Sequence, residues 1–295
     1  MEDKKRYREG LIAAIGTGCL WGVLPIYWKS IESVDSWVII LYRICLVGVC
    51  CFLFALKQYG FEGIKAPLRV KGVVLRYFIA GIVVTINWST YIWAVNAGHV
   101  IECSIGYYIE PLIISLFGVI IFKEKMNGMK KLAFGLAVVA VLIMVVHFGQ
   151  IPVIAFTLAI SFATYAAIKK SYQMPPTLSL LYETMFLVPV TFIAIVYLEM
   201  NGQGALTMVN APYEYVLLLL CGVLTALPLG FFAFATSRLD LITLGLMQYI
   251  SPTISLILGI FLFREPFDIV QFGAVAIIWV GLVFFTLGDI REARK

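Results

Sequence analysis

Ten long apolar stretches constrain the fold of this chain more than any other feature. A helix needs about 20 apolar residues to cross the hydrocarbon core of a bilayer. The chain is 62% hydrophobic and only 13% charged, whereas soluble domains carry about twice that charged fraction. We therefore predict an all-α membrane protein with ten transmembrane helices. The predicted spans are residues 10–29, 36–56, 73–95, 100–122, 129–148, 151–169, 178–198, 214–236, 241–263 and 270–288.

Lysine and arginine residues lie almost entirely at alternate ends of these spans. If the N-terminus is cytoplasmic, all 22 of them fall at cytoplasmic ends except Lys29, Arg43 and Arg264. Because positive charge marks cytoplasmic loops, this pattern predicts a multi-pass protein of the cytoplasmic membrane with both termini cytoplasmic. The net charge of +5 then reflects topology, and we expect no nucleic-acid partner.

The six cysteines all lie in apolar stretches, form no CxxC pair and are accompanied by only two histidines. Metal sites and disulfide frameworks need recurring spacings of these residues. We therefore expect no metal site and no cofactor, and we interpret the cysteines as small packing residues.

The chain contains an internal repeat. The segment YIEPLIISLFGVIIFKE, which starts at Tyr108, matches YISPTISLILGIFLFRE, which starts at Tyr249, without gaps. This alignment places Pro111 on Pro252. Both prolines are predicted helix breaks, because proline cannot donate the backbone hydrogen bond of a helix interior.

Two further matches occur at an offset that is one residue shorter: LYR at 41–43 with LYE at 181–183, and Lys29 with Lys169. Each half contains five predicted spans, an odd number, so the second copy crosses the membrane in the opposite sense. We therefore predict two inverted five-helix repeats. Transporters built in this way bind substrate near the membrane midplane, between the repeats. The predicted repeats comprise residues 1–148 and 149–295.

Four short segments carry a family resemblance. They are NWSTYIWAVN (87–96), ECSIGYYIEPL (102–112), YETM (182–185) and QYISPT (248–253). Together they resemble the RarD family, in the EamA-type branch of the drug/metabolite transporter superfamily. The resemblance implies two inverted five-helix repeats, a central cavity lined by the first four helices of each repeat, and location in the cytoplasmic membrane. The chain departs from the family pattern at Glu110, where a neutral residue is expected, and at Tyr42, where histidine is expected.

Four ionisable residues lie inside predicted spans: Arg43, Glu102, Glu110 and Glu183. Such groups are costly in a membrane and usually face a cavity or a partner. Arg43 is the main candidate for binding a substrate carboxylate or phosphate, because a guanidinium presents a two-pronged set of donors. The alternative is a fixed ion pair of Arg43 with Glu102 or Glu110.

Glu110 precedes Pro111 near the predicted midplane. The proline leaves the carbonyl of Tyr107 without its helical donor, and a membrane tolerates such a defect where protein or water satisfies it. We therefore predict that Glu110 binds a substrate amine or carries a proton; the alternative is a neutral glutamic acid bridging two helices. Glu102 and Glu183 are the other proton-coupling candidates.

Polar and aromatic side chains near these groups complete the predicted site. A pocket that mixes such side chains suits a metabolite with polar and apolar parts. The predicted substrate contacts are Arg43, Asn87, Trp88, Tyr108, Glu110, Gln248, Tyr249 and Ser251.

These features favour an inner-membrane secondary transporter that exports a small organic metabolite or drug by alternating access, with proton coupling left open. One alternative is an uptake permease for an amino-acid-like compound, and another is a channel or scaffold subunit that does not cycle. An enzyme is not expected, because the sequence offers no set of catalytic groups. The expected partners are the small-molecule substrate and the lipid bilayer, and a homodimer is left open.

Overall fold

A computed structural model describes residues 2–97, 99–149, 153–172, 174–264 and 269–293. Within these residues the chain folds into helices joined by short turns. The α-helices are α1 (Glu2–Lys29), α2 (Ser36–Lys65), α3 (Val73–Asn96), α4 (Val100–Ile120), α5 (Gly128–Phe148), α6 (Val153–Ser171), α7 (Pro176–Thr184), α8 (Val188–Met200), α9 (Ala205–Met208), α10 (Pro212–Thr236), α11 (Leu241–Met247), α12 (Ile250–Phe261) and α13 (Ile269–Ala293), and residues Ala66–Arg69 form a 3-10 helix.

The predicted ten-span architecture is confirmed. Over the described residues, nine spans are long and apolar enough to cross a membrane, with α11 and α12 together forming one of them. The tenth is the pair α7 and α8, which bends by 57° at a short break. Sequence reasoning predicted this seventh span as residues 178–198, with Pro189 as a weak signal for a kink. Pro189 at the start of α8 explains part of the break, because its nitrogen has no hydrogen to donate to the preceding turn.

The second span is longer than predicted. Helix α2 continues past residue 56 to Lys65, with a kink at Gly60, whose φ is 63° and ψ is 178°. Only glycine adopts this conformation at low cost. The residues after Gly60 therefore leave the line of the span, and the phenol of Tyr182 donates a hydrogen bond of 2.6 Å to the carbonyl of Ile64 within them.

The repeat is visible in the backbone. Helix α4 ends at Ile120 and α12 ends at Phe261, which is the same offset that relates Tyr108 to Tyr249. Just beyond these ends, Lys123 (φ 56°) and Arg264 (φ 54°) are the two non-glycine residues with positive φ in the described part of the chain. They are separated by the same offset. The same helix-terminating turn is thus built in both halves.

The packing between helices follows the same relation. Contacts of α1 with α10 and α12 are matched by contacts of α6 with α3 and α4, and the contact of α2 with α10 is matched by that of α7 with α3. The pairs α2–α7, α4–α11 and α5–α13 are also in contact, and each joins a helix to its own counterpart. Exchanging the halves therefore maps these contacts onto themselves, as two inverted repeats require.

Two glycines at equivalent positions allow the halves to approach closely. A Cβ atom at Gly81 on α3 would overlap the carbonyl oxygen of Glu183, and one at Gly222 on α10 would lie 2.6 Å from Cβ of Leu46. Small residues allow such close backbone approach between membrane helices. Gly81 and Gly222 are separated by the same number of residues as Tyr108 and Tyr249. A close helix crossing at this glycine therefore occurs once in each half.

Two equivalent hydrogen bonds show which residue of α1 corresponds to which residue of α6. The hydroxyl of Thr17 on α1 lies 3.5 Å from the carbonyl of Pro228 on α10, and the amide nitrogen of Asn87 on α3 donates to the carbonyl of Leu158 on α6 at 2.8 Å. Shifting Thr17 and Asn87 by the Tyr108-to-Tyr249 offset gives Leu158 and Pro228. The two contacts are therefore the same contact, made once by each half.

This offset corrects one predicted match. Sequence reasoning aligned Lys29 with Lys169, whereas the offset shown by the contacts of α1 and α6 aligns Lys29 with Lys170 and Trp28 with Lys169. Two adjacent lysines left the alignment ambiguous by one residue, and only the contacts between helices resolve it.

Candidate substrate-binding site

The guanidinium of Arg43 lies between two tryptophan rings. Its central carbon is 4.1 Å from the ring centroid of Trp88 on α3 and 5.4 Å from that of Trp28 on α1. The Nε atom is buried and has no hydrogen-bond partner. The titratable groups that act electrostatically on Arg43 are Tyr27, Tyr91, Tyr107 and Cys221.

Arg43 forms no ion pair with any residue whose side chain the structure describes. Aromatic faces stabilise a guanidinium partly, but they do not replace the acceptors that its five N–H groups need. Arg43 is half-buried, and a cation that is partly removed from water without an acceptor is costly. The position is therefore suited to an acceptor from outside the chain, and a carboxylate or phosphate matches the planar donors of arginine.

Two tyrosines, on α3 and α4, interact electrostatically with Arg43. The rings of Tyr91 on α3 and Tyr107 on α4 are 5.6 Å apart, and both residues are neighbours of Arg43. Tyr107 is three residues before Glu110, a spacing that puts both side chains on one face of α4. Tyr107 thus interacts electrostatically with both Arg43 and Glu110.

Glu110 is buried on α4, with 9% of its surface exposed. Its carboxyl group has no hydrogen bond or ion pair to any described side chain, and no ion pair joins it to Arg43. Pro111 does not end α4, and its carbonyl accepts a hydrogen bond of 2.9 Å from the hydroxyl of Ser115. The second copy differs, because the helix is interrupted between α11 and α12, just before Pro252.

Tyr108 and Tyr249 lie in packed core. The phenol of Tyr249 donates a hydrogen bond of 3.0 Å to the carbonyl of Tyr108, and both rings are buried in a cluster with side chains of α5 and α13. The Tyr108 phenol also interacts with Gln271 on α13. Both tyrosines therefore hold the halves together at this position.

Gln248 lies in the break between α11 and α12, and Ser251 lies in the first turn of α12. Gln248 is 3% exposed, and its Oε1 is a second buried polar atom without a hydrogen-bond partner. In the alignment of the two halves, Gln248 corresponds to Tyr107 and Ser251 to Glu110. The second half thus carries an amide and a hydroxyl where the first carries a phenol and an ionisable carboxyl group.

Asn87 bridges α3 and α6. Its amide nitrogen donates to the carbonyl of Leu158 at 2.8 Å and to the hydroxyl of Ser161 at 2.9 Å. The donors of this amide are therefore occupied by helix packing, whereas Trp88, the next residue, contacts Arg43.

Glu183 lies in a closed buried network, 2% exposed. It pairs with Lys169 on α6 and accepts hydrogen bonds from the hydroxyl of Ser179 at 2.8 Å and the phenol of Tyr165 at 3.0 Å. The match of LYR with LYE aligns Arg43 with Glu183. The position that holds a cation beside aromatic rings in the first half therefore holds an ion-paired carboxylate in the second. The side chain of Glu102, the remaining candidate, lies outside the described part.

One end of the bundle is held together by contacts to the turn between α10 and α11 and to the start of α11. Glu124 accepts the backbone N–H groups of Leu241 at 2.9 Å and Ile242 at 3.0 Å, and Lys170 donates to the carbonyl of Leu239. Burial raises the pKa of the Glu124 carboxyl, and the two N–H donors oppose that rise. Side chains from two other elements thus fix this turn at the end where α1 begins.

Sequence reasoning overlooked Trp28 and Tyr107 as neighbours of Arg43. The spacing of Tyr107 and Glu110 along α4 contained the signal for Tyr107. No comparable signal existed for Trp28, because its contact depends on how α1 packs beside α2 and α3.

The geometry defines a membrane protein of two inverted repeats with an unpartnered cation between its helices, and comparison with known proteins gives its class. The EamA-like transporter family matches the chain twice, over residues 8–146 and 151–287. The chain belongs to this family of membrane transporters.

Relatives match over nearly the whole chain. An uncharacterized transporter, YojE of Bacillus subtilis, is 37% identical over 97% of this chain and 96% of its own length. Protein RarD of Salmonella typhi is 34% identical over 99% of both chains, and Protein RarD of Streptomyces exfoliatus is 33% identical over 100% of this chain and 93% of its own. A solved crystal structure with 15% identity has the same fold, with a TM-score of 0.71 over 95% of this chain and 98% of that one.

Proposed function

We propose that the protein is a secondary transporter that exports a small organic metabolite or drug across the cytoplasmic membrane by alternating access, with both termini cytoplasmic. Membership of the EamA-like family and the inverted repeat support transport, and the distribution of lysine and arginine supports the orientation. The single observation that supports the substrate site is the half-buried Arg43, which forms no ion pair with a described residue and whose buried Nε has no hydrogen-bond partner.

The substrate we propose is a zwitterion or anion with an apolar part. Its carboxylate or phosphate binds Arg43, and the rings of Trp28 and Trp88 cover its apolar part. A substrate amine binds Glu110, which has no partner of its own in the described structure. This arrangement gives the half-buried Arg43 and the buried Glu110 a counter-charge only when substrate is bound.

Proton coupling through Glu110 is part of the proposal. A carboxyl group that binds either a proton or a substrate amine couples proton movement to substrate movement, because the proton and the amine compete for one site. Glu183 is less suited to this role, since Lys169, Ser179 and Tyr165 already occupy its oxygens.

The test is transport by the purified protein in proteoliposomes, with counterflow of anionic, zwitterionic and cationic metabolites. Arg43→Gln should weaken binding of the transported anion or zwitterion by about 10- to 150-fold, the equivalent of ~1.5–3 kcal/mol for a charged hydrogen bond. Arg76→Gln is the matched control, because Arg76 also lies over an aromatic ring, at 4.0 Å from Tyr172.

Two results would contradict the proposal. Unchanged affinity in Arg43→Gln would exclude Arg43 as the substrate contact, and flux without trans-stimulation would indicate a channel. Uptake driven by an inward proton gradient would favour the alternative, a permease for an amino-acid-like compound.

A further inference from the structure

A groove of about 480 Å³ lies on the outer surface of the bundle, between the 3-10 helix, the start of α3 and the bend that joins α7 to α8. Its walls are almost entirely apolar, and one charged residue lies at its end. The residues that matter here are Leu68, Val70, Leu75, Phe78 and Phe186, with Lys71 as the charged one. The groove therefore has one polar end and a long apolar floor.

The apolar floor runs along the bundle toward the bend. Phe78, in the second turn of α3, packs edge-on against Phe186 with ring centroids 5.2 Å apart. Leu68 and Leu75 are 52% and 60% exposed. Side chains this apolar and this exposed need a non-aqueous neighbour. Since Phe186 belongs to the second half, an occupant of the groove would contact both repeats.

The polar end carries excess positive charge. Lys65, Arg69 and Lys71 are all exposed, and the one acidic partner among them is Glu62, at 3.4 Å from Arg69. Neither Lys65 nor Lys71 forms an ion pair with a described residue. The kink at Gly60 directs this basic segment away from the axis of α2. Clustered basic residues next to a membrane span attract anionic lipid headgroups.

We propose that this groove is a binding site for one anionic phospholipid. An acyl chain lies against Leu75 and Phe78, and the headgroup phosphate lies beside Lys71, with Lys65 adding positive charge from the end of α2. The match of charge at one end and apolar length at the other favours a lipid over a soluble anion, which would leave the floor exposed. This site is independent of the substrate and of the proposed direction of transport.

Native mass spectrometry of the detergent-purified full chain tests the proposal. Phosphatidylglycerol and phosphatidylcholine with identical acyl chains are titrated against wild type and the double variant Lys65→Gln/Lys71→Gln. Wild type should bind phosphatidylglycerol at least fivefold more tightly, and the double variant should lose most of that preference. The control Lys125→Gln/Lys131→Gln removes two exposed charges elsewhere and should keep it.

The apolar floor is tested separately. Leu75→Gln should weaken both lipids several-fold, whereas Leu132→Gln, at an exposed position on α5, should leave both unchanged. If Lys65→Gln/Lys71→Gln and Lys125→Gln/Lys131→Gln lose the preference for phosphatidylglycerol equally, the proposed lipid site is wrong. Displacement of phosphatidylglycerol by glycerol phosphate alone would also overturn the site, since a lipid site depends on the acyl chain.

Discussion

The rings of Trp21 on α1 and Phe162 on α6 lie 5.6 Å apart and nearly perpendicular, at 76°, and the two residues occupy equivalent positions in the two repeats. A residue that touches its own counterpart must lie beside the axis that relates the halves. Phe162 also packs at 5.2 Å against Phe232, and Trp21 lies 5.7 Å from the same ring. The axis is thus surrounded by packed aromatic side chains.

Gly222→Ala should destabilise the protein by about 1–3 kcal/mol, the usual cost of overpacking a well-packed contact. The added methyl group would meet the backbone and Cβ of Leu46, with atoms at 2.6–2.8 Å. Gly230→Ala on the same helix is the control, because no atom lies within 4 Å of its added Cβ. Thermal unfolding in detergent measures both, and equal stability of the two variants would show that α2 and α10 do not pack this closely.

Breaking the buried pair of Lys169 and Glu183 should be costly, whereas removing both charges should cost much less. Lys169→Met alone leaves an uncompensated buried carboxylate, for which we expect a loss of about 3–5 kcal/mol. The double variant Lys169→Met/Glu183→Gln should recover most of it. The exposed pair of Arg69 and Glu62 is the comparison, and its removal should change stability very little.

A double-mutant cycle on the buried pair gives the decisive number. If the two single losses simply add in the double variant, the side chains do not interact, and the network described for the second half is incorrect.

Glu110→Gln should leave the protein folded and abolish the dependence of transport on pH. The amide keeps the shape of the side chain but cannot exchange a proton. Transport is measured in proteoliposomes over a range of external pH. Glu62→Gln, at an exposed position, should keep the wild-type profile, and a wild-type pH profile in Glu110→Gln would exclude this residue as the proton carrier.

The proposed orientation predicts that Gln58 and Gln203 lie on opposite sides of the membrane, with Gln58 inside. Both positions are exposed, so single cysteines placed there, in a chain lacking the six native ones, are accessible to reagents. An impermeant maleimide added to intact cells should label the variant at 203 and not that at 58. Labelling of both from outside would contradict a ten-span arrangement with cytoplasmic termini.

The span positions and the repeat were predictable because both depend on local sequence. Apolar length fixes where a helix can cross, and Pro111 and Pro252 align without gaps. The bend in the seventh span was not predictable from Pro189 alone, because many prolines near a helix start leave it straight.

The orientation of side chains was harder to predict. Tyr107 and Tyr108 are adjacent, yet one lies beside Arg43 and the other lies in the core with α13. Two adjacent aromatic residues in an apolar helix give no signal of which faces a binding site, since every side of a membrane helix is apolar. Asn87 shows the same limit, because its donors are used by α6, a partner 71 residues away.

The hydrogen bond from Tyr249 to Tyr108 has an evolutionary meaning as well as a structural one. A residue that contacts its own counterpart is the hallmark of an isologous interface, the kind that joins two identical subunits about a twofold axis. In a true dimer every substitution would occur on both sides of that axis. Joining the two copies in one chain removes that restriction, so one position can become Glu110 in the first half and Ser251 in the second. The covalent link therefore lets two symmetry-related positions differ in charge, which no symmetric pair of identical subunits could do.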